Sequence, residues 1–220
     1  MSDANELPEL ESRPQSRREW SGYLRSLVLP LGLVVAIVAG LLYLQSRGGT
    51  GSQTGGFGSV ELPAAKNATD KPPSSEEGRA APDFYLRSLD SEPIRLSDLQ
   101  GKAVLVNFWA AWCTSCRAET PDLVRTYEQY KSAGLLIVGV NLREADARAR
   151  GFAEDFGVTY PVALDRSGEV ARTWRIGGPS QGLPSSYFID RQGVVRKVVY
   201  GTVSARLMDE GLKLIMGTGN

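Results

Sequence analysis

From Ala81 onward, apolar and polar positions fall into blocks that assign secondary structure. Residues 102–109 (KAVLVNFW) are almost wholly apolar, as a strand buried on both faces requires. Residues 135–141 (LLIVGVN) repeat that pattern. Shorter runs follow at Val162–Asp165, Ser186–Asp190 and Val194–Val199, the last two closing a hairpin around Arg191-Gln192-Gly193. Helical spacing runs over Thr114–Ser132, where Pro121 is expected to introduce a kink. It returns over Ala145–Phe156 ahead of Gly157, briefly over Val170–Trp174, and over the amphipathic segment Ser204–Met216. Upstream, Asp83–Leu89 and Pro93–Leu96 predict a short hairpin, followed by one helical turn at Ser97–Gly101. The order β-α-β-α-β-(α)-β-β-α predicts an α/β sheet with helices on both faces. Strands joined through helices are expected to be parallel, and the last hairpin antiparallel.

The N-terminal third follows different rules. Leu27 to Leu44 reads LVLPLGLVVAIVAGLLYL, eighteen residues without a charge. At about 1.5 Å per residue this nearly crosses a hydrocarbon core about 30 Å thick. Tyr23 and Tyr43 would sit at the two interfaces. Arg13, Arg17, Arg18 and Arg25 precede the span, and only Arg47 follows it closely. That bias orients residues 1–25 to the cytoplasm and the rest outside. The long polar head and the missing A-x-A exit site favour a retained anchor at 26–45 over a cleaved signal peptide. Residues 46–80 are rich in Gly, Ser, Pro and Thr and poor in large apolar side chains, so they are expected to be a disordered, flexible tether. The folded domain is then expected at 81–217.

Net charge is zero, with no basic face or tail, which argues against nucleic acid as a partner. The chain contains no histidine, so His-based catalytic dyads and Cys/His metal sites are excluded within it. Its two cysteines both lie in Trp112-Cys113-Thr114-Ser115-Cys116, between the first buried strand and the first helix. A bridge this short is a poor structural staple, because the entropy gain shrinks with the closed loop. A metal knuckle lacks its second ligand pair. The remaining reading is a reversible redox pair. A helix N-terminus directs unpaired N–H groups and partial positive charge at the first sulfur, favouring the attacking thiolate.

Five blocks together resemble the membrane-anchored thioredoxin-like proteins of the TlpA/ResA/CcmG type, in the redoxin (AhpC-TSA) superfamily. They are Ala81-Pro82-Asp83-Phe84, Ile94 to Leu99, Val106-Asn107-Phe108-Trp109-Ala110, Trp112-Cys113 to Glu119, and Gly182-Leu183-Pro184-Ser185-Ser186-Tyr187-Phe188-Ile189-Asp190. The resemblance implies a thioredoxin-like fold with an N-terminal β-hairpin extension. It also implies a thiol–disulfide oxidoreductase, without cofactor or metal, working outside the bacterial cytoplasmic membrane. Partners would be disulfide-bearing extracytoplasmic proteins, apocytochrome c among them, and a membrane electron donor for re-reduction. The bilayer itself would be contacted through residues 27–44.

By the same resemblance, Cys113 is the attacking, more exposed thiol and Cys116 the resolving one. Pro184 matches a cis-proline that faces the disulfide, against a base rate of about 5–6% cis for X–Pro bonds. Leu183 would offer backbone hydrogen bonds to a bound chain. Trp112 would line an apolar contact surface, while Trp109 is expected in the core. Glu119 matches an acidic residue that moves the proton of Cys116, one helical turn away. The competing reading is a solvated glutamate favoured by the helix dipole. Asn107 stands where thioredoxins carry a buried aspartate and cannot titrate, which strengthens the case for Glu119.

Two features depart from the family. Thr114-Ser115 separate the cysteines where thioredoxin has Gly-Pro, and the loop Ile176–Gly182 before Pro184 is longer than the norm, beside the expected substrate groove. A Cu(I)-handling role for the same cysteines is the alternative, since soft thiolates suit that ion. A thiol peroxidase would need Pro and Thr where Val106 and Ala110 stand.

Overall fold

The computed structural model describes residues 34–39, 56–90, 92–177 and 182–217. The chain divides into two units, Met1–Thr54 and Gly55–Asn220. In the first, residues 34–39 are helical. Among the described residues no helix is long and apolar enough to cross a membrane. The expected anchor at 26–45 lies largely outside the described residues.

The second unit is built on a five-stranded sheet. Its strands are β4 (Ala103–Trp109), β5 (Leu135–Leu142), β6 (Val162–Asp165), β7 (Ser185–Ile189) and β8 (Val195–Tyr200), in the order β6-β5-β4-β7-β8. β4, β5 and β6 run parallel, whereas β7 is antiparallel to both β4 and β8. Every residue of the central strand β4 is buried. Its alternate side chains enter two cores. Val104, Val106 and Phe108 join Phe84, Val138, Trp174 and Tyr187 on one face. Ala103 and Leu105 join Leu123, Ile137, Phe188 and Leu212 on the other. That division is the period-2 consequence of a strand covered on both sides.

Among the described residues four α-helices accompany the sheet: α1 (Thr114–Tyr130), α2 (Asp146–Asp155), α3 (Glu169–Thr173) and α4 (Ala205–Met216). The helical turn expected near 97–101 is a 3-10 turn at Leu96–Leu99. α1 continues through Pro121. α4 buries Met208, Gly211, Leu212 and Ile215, spaced i, i+3, i+4, i+7. Gly211 sits against the sheet, where an added Cβ would lie 2.3 Å from the ring of Phe188. Phe188 is fully buried and cannot swing clear. Gly211→Ala gains about 1 kcal/mol of helix propensity but overpacks a closed site, at about 1–3 kcal/mol. With a contact this short the overpacking dominates, so a net loss of stability and a lower Tm are expected in thermal denaturation.

A smaller sheet carries β1 (Gly58–Ser59), β2 (Phe84–Leu86) and β3 (Ile94–Arg95), all antiparallel. The expected hairpin is therefore present as β2–β3. The tether expected over 46–80 is corrected for its second part, since residues 56–80 are ordered on the domain. β1 adds to β2, Val198 N–H donates to the Glu77 carboxylate at 2.9 Å, and Gly78 and Arg79 exchange backbone bonds with Val195. Its last part, Glu77–Arg79, thus bonds to the β8 edge through backbone and carboxylate groups, while Phe57 stacks on Tyr85 of β2.

Candidate active site

The C-terminal end of β4 places the two cysteines. After Trp109 the chain turns through Ala110–Trp112, and Cys113 caps α1 with extended backbone (φ −81°, ψ 111°). Cys113 N–H donates to Ala110 O at 3.1 Å. The two sulfurs are joined, with Cα atoms 5.2 Å apart. Cys113 Sγ accepts the N–H of Cys116 at 3.1 Å, so an otherwise unpaired donor of the first helical turn is aimed at the outer sulfur. Negative charge left on that sulfur when the bond opens meets this donor and the helix dipole.

Exposure ranks the cysteines in the expected order, yet narrowly: 6% for Cys113 and 0% for Cys116. Both belong to an apolar cluster with Leu89, Trp109, Ala110, Phe152 and Leu164, against which Leu183 packs. Trp109 is core as expected, stacked on Phe152 at 4.3 Å. Trp112 points the other way and is 65% exposed. The Leu183–Pro184 peptide is cis. Pro184 is buried, and its carbonyl accepts Gly201 N–H at 2.8 Å. Leu183 N–H and C=O form no hydrogen bond among the described residues. Part of the loop expected to border the groove, 178–181, lies outside the described residues.

Glu119 is buried at 2% exposure, which removes the solvated reading. Oε1 accepts Asn107 Nδ2 at 2.8 Å, and Oε2 accepts Val203 N–H at 3.0 Å. Burial pushes its carboxyl above the ordinary glutamate range, against the two donors and with Asp122 adding to the rise. Tyr160, buried nearby, is pushed well up by the same desolvation and by the charge of Glu119. In this oxidised state no hydrogen bond joins Glu119 to either sulfur among the described residues. The two share the buried face of α1, one turn apart.

Two partners escaped the sequence reading. Ser186 Oγ accepts the second proton of Asn107 Nδ2 at 2.9 Å, because β7 pairs Ser186 with Asn107 in antiparallel register. Val203 arrives from the turn before α4. Neither signal exists until strand register and helix docking are known.

The AhpC/TSA family model matches residues 78–198, more than half of the chain. The chain belongs to the AhpC/TSA family. Within it, this member is similar to the thiol-disulfide oxidoreductase ResA of Geobacillus kaustophilus, 37% identical over 138 residues, spanning 63% of this chain and 77% of the relative. ResA of Bacillus subtilis is 37% identical over 142 residues, 64% of this chain and 77% of its own. Among solved structures, a thiol:disulfide interchange protein of the thioredoxin family from Chlorobium tepidum superimposes with a TM-score of 0.57 and 32% identity, covering 68% of this chain and all of that one. This AhpC/TSA protein thus has a TlpA/ResA/CcmG-type thioredoxin-like domain, and it is a thiol–disulfide oxidoreductase.

Proposed function

We propose that the chain is a membrane-anchored, extracytoplasmic reductase of disulfides in partner proteins. The observation that carries the reading is the Cys113–Cys116 pair at the head of α1, with Cys116 N–H turned to the outer sulfur. In the reduced enzyme Cys113 thiolate attacks one sulfur of a partner disulfide. A mixed disulfide forms and one partner thiolate leaves. Cys116 then attacks Cys113 Sγ, expelling the second partner thiolate and closing the pair. Two electrons pass to the partner, and the two thiolates released take up protons. Glu119 accepts the proton that Cys116 must lose to attack, a role supported by its buried position and raised carboxyl.

Substrate docking falls to Trp112, Leu183 and Pro184. The exposed indole offers apolar area, and the backbone of Leu183, without a hydrogen bond among the described residues, offers a strand-like edge to an extended chain. Such a partner is a protein carrying a disulfide, with apocytochrome c the class the resemblance adds. A membrane dithiol would return the electrons. Anchoring through residues 27–44 with a cytoplasmic N-terminus is supported by the uncharged run and its arginine bias.

Full-length chain in membranes tests this reading. It should resist alkaline carbonate extraction, and protease added outside spheroplasts should remove the domain. With dithiothreitol it should accelerate insulin-disulfide reduction. Release by carbonate would end the anchor proposal, and insulin reduction at the background rate would end the reductase proposal.

A further inference from the structure

The turn that delivers Cys113 is tied down from β5. Glu144 Oε2 accepts Ala111 N–H at 2.7 Å and Asn141 Nδ2 at 2.7 Å. The geometry follows from register: Asn141 lies opposite Trp109 in the β4/β5 pair, so Glu144, three residues on, reaches over the end of β4. Its side chain is only 4% exposed, unusual for a glutamate just past a strand. Oε1 is buried without a hydrogen bond among the described residues, and Arg148 Nε stands off at 4.0 Å. A carboxylate buried with one oxygen unbonded costs stability. Near a surface turn, water would satisfy Ala111 N–H without that cost. An arrangement that destabilises locally is expected where function benefits.

We propose that Glu144 is a positioning residue for disulfide exchange, holding Ala111 and so fixing Cys113 at the head of α1. The inference rests on the reading that Cys113 attacks. Backbone between Trp109 and Thr114 is short. Within it Ala111 N–H is held by Glu144, and Cys113 N–H by Ala110 O. Loss of the first lets Cys113 drift from the Cys116 N–H that meets its charge. Reach, rather than charge, is the property required. Gln keeps the reach and an accepting oxygen, whereas Asp keeps the charge but is shorter by one carbon–carbon bond, about 1.5 Å.

Full-length wild type, Glu144→Gln and Glu144→Asp are compared in insulin reduction, in the pH profile of alkylation of reduced Cys113, and in thermal denaturation. Glu144→Asp is expected to lose about tenfold in kcat/KM, as sub-ångström to ångström misplacement does, and to raise the alkylation midpoint. Glu144→Gln is expected to stay within about twofold, because the hydrogen bond to Ala111 persists. Wild-type rate and midpoint in Glu144→Asp would overturn the proposal, and so would an equal fall in Glu144→Gln. If Glu144→Asp does not fold, Glu144→Gln decides alone on the same twofold limit. An inactive wild type would refute the exchange reading instead, while alkylation would still report on the tether.

Discussion

Cys113→Ser is expected to abolish disulfide reduction, a loss of about a thousandfold or more, because a hydroxyl is not ionised near neutral pH and cannot replace the thiolate nucleophile. Cys116→Ser should behave differently. Its Cys113 still attacks a partner, but nothing resolves the adduct, so one equivalent of mixed disulfide accumulates and turnover stops. The asymmetry follows from placement. Cys113 caps α1 and receives an N–H from its first turn, while Cys116 is fully enclosed. Neither change should unfold the domain. The bridge closes a minimal loop, whose entropic contribution is small, and Ser fits either space. Non-reducing gels and mass spectrometry of the two variants with a disulfide-bearing peptide check the expectation. Adduct on Cys116→Ser and none on Cys113→Ser is the expected pattern. The reverse pattern would exchange the two roles.

Glu119→Gln is expected to slow exchange by about a hundredfold near neutral pH, at the low end of what a general base supplies. A base must be ionised to act. Wild-type kcat/KM should therefore fall as pH drops through the raised carboxyl value of Glu119, and the variant should lack that limb. Stability carries an independent signature. Because the folded value lies above the unfolded one, the folded state holds the extra proton between the two. Glu119 thus contributes stability that is full below the ordinary value of about 4.3 and is lost as pH rises through the folded value. Relative to wild type, Glu119→Gln should gain as pH rises between those two values, by at most about 1.4 kcal/mol for each pH unit crossed. At low pH it should be the weaker protein, since Asn107 Nδ2 and Val203 N–H meet different oxygens of Glu119 and Gln sets a donor-only NH2 against one of them. Denaturant melts at several pH values and a pH–rate profile test both. An unaltered rate profile would leave Glu119 as a buried structural acid.

Much of this architecture is legible in the amino-acid order alone. The run 102–109 reads as a strand covered on both faces, and β4 is the sheet's centre. Two cysteines between that strand and a helix located the site. Glu119 was open to two readings, and burial removed one. What stayed hidden depends on register or on backbone. Ser186 meets Asn107 only because β7 is antiparallel to β4 in one register. Glu144 reaches Ala111 only because β5 is parallel to β4 in another. Residues 56–80 looked like a tether because their order comes from strand addition and edge bonds, which leave little trace in composition.

The most direct test of the central claim is the redox equilibrium of Cys113–Cys116 in the full-length chain, titrated against glutathione or dithiothreitol with both thiols counted by mass spectrometry. A reductase predicts a reversible two-electron transition near the thioredoxin value, about −270 mV. A bond that no dithiol opens, or a potential near that of a strong oxidant, about −120 mV, would contradict it.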